Sequence, residues 1–163
     1  MAFIFFPKAR NRDIYGTKKK EGSSLHEKKA REFDDPTILV ADESEEFRDN
    51  LIRELQARGY NCLIAEDGKQ ASYGYLEKMP DIAVLGIDIG KKGDGMLAAM
   101  EILSKRSEAE VIILTNENST ITKNEECIGI EFFISKNNSL QKIVNSICAV
   151  WNLKKSSCRL IAR

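Results

Sequence analysis

The sequence predicts an α/β fold: a doubly wound parallel sheet with helices on both faces. Three observations carry the expectation. Short apolar runs, of the kind found in strands buried on both sides, recur between residues 36 and 151. Segments with helical periodicity or helix-end signals follow these runs, so that strand and helix alternate through five repeats. Parallel strands need such crossovers, which are right-handed and lay their helices over the sheet.

Thr37-Ile38-Leu39-Val40-Ala41 is the first strand. Ser44 caps the helix after it, Glu45 and Glu46 complement the positive end of its dipole, and Phe47, Leu51, Ile52 and Leu55 form a stripe that Gly59 ends. Tyr60 to Ala65 is the second strand and Asp67-Gly68 a turn; Gln70 to Met79 is a helix, interrupted by Gly74 and stopped by Pro80. Ile82 to Ile87 reads as the third strand, and the loop through Gly90, Gly93 and Gly95 is too glycine-rich to be regular. Met96, Met100 and Leu103 mark the next helix, Val111 to Leu114 the fourth strand, and Phe132 to Ser135 the fifth. Residues 118–128 have only Ile121 and Ile128 as apolar anchors, so a polar helix is expected there. Leu140, Ile143, Val144, Ile147 and Trp151 make the last amphipathic helix.

A length of 163 residues suits one folded domain, placed here at residues 36–151, with a basic and flexible N-terminal extension (1–35) and a C-terminal tail (152–163). Lys plus Arg and Asp plus Glu both number 25, so the molecule as a whole has no strong pull toward nucleic acid or an anionic membrane. The balance is uneven locally: residues 7–31 carry nine basic and three acidic side chains, residues 36–163 sixteen and nineteen. Residues 25–33 have the composition of a short helix, and Phe3, Ile4, Phe5 and Phe6 of a short strand or docking segment. The four cysteines lack C-x-x-C spacing and His26 is the single histidine, which argues against a zinc site. No apolar run reaches the length of a membrane span, the first six residues are too short for a signal-peptide core, and a cytoplasmic location is expected.

Ligands of such sheets bind at the carboxyl ends of the strands. The residues there are Asp42 and Glu43 after the first strand, Gly86 and Asp88 at the third, Thr115 and Asn116 after the fourth, and Phe133 and Lys136 in and after the fifth. Two carboxylates, a hydroxyl and an ammonium on one rim suit a magnesium ion and a phosphoryl group, since hard oxygen ligands hold the metal while Thr and Lys meet phosphoryl oxygens. With Ile38 to Glu43, Gly59-Tyr60, Glu66-Asp67-Gly68, Pro80-Asp81-Ile82, Asp94-Gly95, Leu114-Thr115 and Gly129 through Lys136 in order, the chain resembles the receiver domain of bacterial response regulators over residues 36–151. The resemblance implies a flavodoxin-like five-stranded parallel sheet of order 2-1-3-4-5. It assigns magnesium to Asp42 and Glu43, the phosphate switch to Thr115 and Lys136, and the aromatic reporter to Phe133.

The chain departs from the family at the acceptor. Counting from Pro80-Asp81 places the family's phosphorylated aspartate at Gly86, which has no nucleophile. Asp88 is the alternative acceptor and a third carboxylate for a weak or vestigial magnesium site; two residues apart in a strand, it would share the face of residue 86. Loop length from Asp94 fits neither position better, but a displacement of two strand positions is roughly 6.6 Å. Lys136 is followed by Asn137 where the family usually has a cis proline, so that loop is expected to take another path. With the acceptor gone, Lys136 also has the option of pairing directly with Asp42 or Glu43.

The expected function is therefore that of a stand-alone, degenerate receiver (a pseudo-receiver) in a two-component phosphorelay, acting by phosphorylation-independent protein–protein interaction and not as an enzyme. No cofactor is required, and a weak Mg2+ interaction is allowed. Its partner would be a signalling protein, such as a histidine kinase or another response regulator, or a second copy in a homodimer through the fourth and fifth helices. Two alternatives stand beside this: an active phosphorelay receiver phosphorylated on Asp88 by a histidine kinase, and binding of nucleic acid or an acidic partner by the basic N-terminal extension. The extension has neither a helix-turn-helix signal nor interleaved aromatics, which disfavours nucleic acid.

Overall fold

The computed structural model describes residues 5–6, 36–116 and 129–161, with side chains for 36–116 and 129–156. The expected helices at 25–33 and 118–128 lie outside the described residues, as does the rest of the N-terminal extension apart from Phe5 and Phe6. In chain order the elements are β1 (Phe5–Phe6), β2 (Thr37–Ala41), α1 (Glu45–Ala57), β3 (Asn61–Ala65), α2 (Gly68–Lys78), β4 (Ile82–Gly86), α3 (Asp94–Lys105), β5 (Val111–Thr115), β6 (Phe132–Ser135) and α4 (Leu140–Ile161).

The sheet runs β1-β3-β2-β4-β5-β6. Its five longer strands are all parallel, and in their own sequence order they follow 2-1-3-4-5, the flavodoxin-like receiver arrangement. To this β1 adds an antiparallel edge strand, pairing Phe5 with Leu63 and Phe6 with Cys62, so the apolar start of the chain has β3 as its partner.

Side-chain alternation along each strand builds two cores. Val40, Val84 and Ile112 pack under Leu51 and Leu55 of α1 and Ile143 and Ile147 of α4. On the other face Leu39, Leu85 and Ile113 pack under Ala71 and Tyr75 of α2 and Ala98 and Ile102 of α3. Cys62 is buried in β3, between β1 and β2, and burial pushes its thiol up to about 12.

The helix signals act through specific atoms. The Ser44 side chain accepts from the Phe47 amide at 3.3 Å, and Gly59 ends α1 at φ 96°. Asp67 accepts from the Gln70 amide at 2.7 Å, so α2 begins at Gly68, earlier than its polar start suggested, and runs through the buried Gly74 without a break. In α3, the helix marked by Met96, Met100 and Leu103, the core face is Gly95, Ala98, Ala99 and Ile102, and Met100 is 44% exposed. Gly95 brings the start of this helix close to the end of β4. The last helix continues past Trp151 to Ile161, and the Lys154 ammonium donates to the Asp81 carbonyl at 2.8 Å.

Two glycines mark close backbone approaches. A Cβ on Gly68 would come within 2.5 Å of the Asp94 carbonyl oxygen, and one on Gly95 would collide with the Gly86 carbonyl. Both glycines follow an aspartate and start a helix, so the paired Asp-Gly signals seat α2 and α3 against each other and against β4.

Leu51 is fully buried, and Leu51→Ala is expected to cost about 2–5 kcal/mol in urea unfolding. Gly95→Ala should fall at the upper end of the roughly 1–3 kcal/mol of an overpacked site, although it adds apolar surface.

Candidate functional site

The carboxyl ends of β2, β4, β5 and β6 form the rim, and the residues just beyond them do not contribute equally. Asp42 follows β2 and is fully buried. Its Oδ1 accepts from the Ser44 amide at 3.0 Å, and its carbonyl accepts from Arg48 Nη1 at 3.2 Å. Its Oδ2 lies 2.7 Å from Lys136 Nζ, whose side chain is 13% exposed. That contact is an ion pair rather than a directed hydrogen bond, and among the described residues Oδ2 accepts no hydrogen bond. The ammonium also stands 5.5 Å from the centroid of the Phe47 ring, within cation–π range.

Gly86 explains why the pair fits. A Cβ built there would lie 2.6 Å from Asp42 Oδ2 and 3.4 Å from the Asp88 carbonyl oxygen. The side-chain direction of position 86 therefore leads into the rim, and the Asp42 carboxylate occupies the space next to it. Lys136 comes from beyond β6, two strands past β4 in the sheet, so the ion pair crosses the rim over the end of β4.

The other candidates are placed apart from this pair. Glu43 is exposed. β4 stops at Gly86, one residue short of the expected strand, so strand alternation does not carry Asp88 to the rim. Asp88 Oδ1 instead accepts from the Gly93 amide at 2.7 Å and closes the loop. Ile89 is fully buried within that loop, while Gly90 and Gly93, both at positive φ, flank the exposed Lys91 and Lys92. Among the described residues no group of three or more His, Cys, Asp or Glu side chains is placed to hold a metal, and Asp42, Glu43 and Asp88 do not form one. A hard cation needs several oxygen ligands, and here an ammonium already meets the one buried carboxylate, so this arrangement does not fit Mg2+.

Thr115 ends β5 half-buried. Its carbonyl accepts from the Lys136 amide at 2.8 Å, and its hydroxyl has no hydrogen bond among the described residues. Phe133 is half-buried and packs against the core on the α2–α3 face, opposite Phe132 and Ile134. No cis peptide occurs among the described residues. After Lys136 the chain turns through Ser135–Asn138, where Ser135 Oγ accepts from the Asn137 amide at 3.2 Å and the Ser135 carbonyl from the Asn138 amide at 3.2 Å.

Three contributors were not singled out by sequence reasoning. Phe47 reads as a core stripe residue yet also faces Lys136; Arg48 braces the Asp42 backbone; Ile89 anchors the loop. The spacing of Asp42 and Arg48 across the start of α1 was the available signal for the second of these, and an apolar residue within a glycine-rich loop for the third.

Lys136→Ala would leave a fully buried carboxylate without its counter-charge, and the expected loss in urea unfolding is about 3–5 kcal/mol. Asp42→Asn combined with Lys136→Met removes both charges and should recover most of that loss.

The response regulator receiver domain model matches residues 38–148. The chain is 28% identical over 125 residues to the transcriptional regulatory protein RprY of Bacteroides fragilis, covering 73% of this chain and 51% of that protein. It thus spans about half the length of this curated relative. Among solved structures, response regulator protein TrrA of Thermotoga maritima, in complex with Mg2+–BeF, has a TM-score of 0.63 at 25% identity over 71% of this chain and 98% of that one. NtrX of Brucella abortus, in complex with ADP, has a TM-score of 0.65 at 20% identity over 77% of this chain and 29% of that one, a likeness of fold alone.

Proposed function

The chain belongs to the response regulator receiver domain family of two-component signalling, and on that footing we propose that it is a degenerate receiver which works by protein–protein interaction without phosphoryl transfer at residue 86. Receiver domains are signalling modules that interact with histidine kinases or other signalling proteins. The observation that carries the reading is the direction of Gly86: its absent side chain would point at Asp42 Oδ2, 2.6 Å away, where Lys136 already neutralises the charge. A rim held closed by its own lysine has no nucleophile at the acceptor position and, among the described residues, no group of carboxylates gathered for a metal.

Asp88 fits an acceptor role poorly, because its carboxylate is engaged with the Gly93 amide in a loop fastened by buried Ile89. The partner surface in this reading is the exposed side of α4 together with β6, facing a histidine kinase, another response regulator or a second copy of the chain. The ion pair keeps that surface in one state: Lys136 is anchored at the end of β6, and its amide is tied to Thr115.

Incubation of the full chain with acetyl phosphate and Mg2+, read by intact mass, is expected to give no phosphoryl adduct. Gly86→Asp should gain one if the carboxylate of Asp42 can turn aside, and the gain should be lost in Gly86→Asn. An adduct on the unmodified chain that disappears in Asp88→Asn would overturn the proposal in favour of an active phosphorelay receiver.

A further inference from the structure

The end of the sheet opposite the rim holds a cavity that the receiver reading does not use. It has a volume of about 150 Å3 and lies where the end of α2, the start of β4, the segment after α3 and the side of α4 come together. Tyr75 forms part of its wall. The residue is 6% exposed, and its ring is packed in the core on the α2–α3 face. Among the described residues its hydroxyl makes no hydrogen bond, and it is not sealed from solvent either, so it opens on the cavity. Burial, with the carboxylates of Asp81, Glu110 and Glu108 nearby, pushes the phenol up to about 12, and the hydroxyl therefore keeps its proton. A buried polar group normally has a partner, and this one has only the cavity to find it in.

The charges around the hydroxyl are divided. Arg106 and Glu108 balance each other, with Nη1 and Oε1 at 3.5 Å, and Arg106 Nη2 donates to Met79 Sδ at 3.0 Å. Lys154 and Asp81 are less well matched. The Lys154 ammonium donates to the Asp81 carbonyl at 2.8 Å, a neutral acceptor, and the Asp81 carboxylate accepts from the Thr37 amide at 2.9 Å. Among the described residues neither side chain forms an ion pair. The cavity wall thus offers one uncompensated cation, one uncompensated anion and a hydroxyl that can donate or accept. Met79, Pro80 and Ala109 add apolar surface. A simple anion would meet the carboxylates around Tyr75, and a simple cation would meet Lys154 and Arg106. A molecule carrying both charges side by side complements the wall.

We propose that this cavity binds a small zwitterion, a free α-amino acid with a short apolar side chain. Its carboxylate meets Lys154, its ammonium meets Asp81, the Tyr75 hydroxyl completes the polar contacts, and the apolar side chain rests on Met79 and Pro80. A cavity of this volume takes a molecule of roughly benzene's bulk, which suits the size of valine. The cavity is at the other end of the sheet from Gly86, so its occupancy does not depend on whether the rim accepts phosphate.

The test titrates the full chain with L-valine and follows backbone amide shifts by two-dimensional NMR. Isovalerate, which lacks the ammonium, and isobutylamine, which lacks the carboxylate, are titrated in parallel. Valine is expected to give saturable shifts centred on residues 75, 79, 81, 106–109 and 154, with each half-ligand weaker by about tenfold or more, the worth of a charge-assisted contact. Tyr75→Phe should weaken valine by about three- to tenfold, and Lys154→Met by about tenfold or more. Should Tyr75→Phe fail to fold, Lys154→Met decides, since that side chain is only half-buried. The proposal is overturned if valine gives no saturable shifts or shifts centred elsewhere. It fails equally if one half-ligand binds as tightly as valine, or if valine binding is unchanged in Lys154→Met.

Discussion

The Asp42 carboxylate is sealed from solvent at the carboxyl end of the sheet, and a single ammonium balances it. Taking two charges out of water is expensive, and attraction between them offsets that cost only when the geometry is good and the remaining polar atoms are satisfied. Here Oδ1 has the Ser44 amide, Oδ2 has Lys136, and the Phe47 ring flanks the ammonium. The two partners follow β2 and β6, with β4 and β5 between them, so the pair acts as a tie across the rim. A buried charge of this kind tolerates the loss of both members better than the loss of one.

The tie depends in turn on a missing side chain. At position 86 any Cβ would press on Asp42 Oδ2, and the Asp88 carbonyl closes the same space from the loop side. Gly95 lets α3 begin directly against the Gly86 carbonyl, so β4, the loop and α3 are packed as one unit. Within that unit Ile89 is buried and Asp88 holds the Gly93 amide. A rim built this way is pre-ordered: its loop has no slack that a bound group would need to take up.

Much of the fold was legible in the sequence because it rests on periodicity and end signals. The stripe Leu51, Ile52, Leu55, the cap at Ser44, the Asp-Gly pairs and the alternation within Ile38 to Ala41 are local patterns with local causes. Met96, Met100 and Leu103 marked α3, but its core face is made by Gly95, Ala98, Ala99 and Ile102, small residues that carry little apolar signal in the sequence. β4 ends at Gly86, and only the packing of Gly95 against that residue shows why. The rim residues were identified from their positions after the strands, but their grouping was not. Asp42 and Lys136 meet, Glu43 points into solvent and Asp88 serves the loop, and those outcomes are decided by tertiary distances that spacing along the chain does not encode.

The last helix has a mechanical consequence. With 22 residues, α4 is about 33 Å long, and it is packed on the core as far as Val150 and Trp151, so only its last turns run beyond these contacts. Its inner half is seated by Ile143, Val144 and Ile147, and Lys154 fastens it at the Asp81 carbonyl, which makes that carbonyl the fulcrum. Beyond this point the rod is a lever arm: a tilt of a few degrees at the fulcrum becomes a sideways sweep at Ile161 that grows with every turn. Small adjustments inside the core are thereby geared up at the tip.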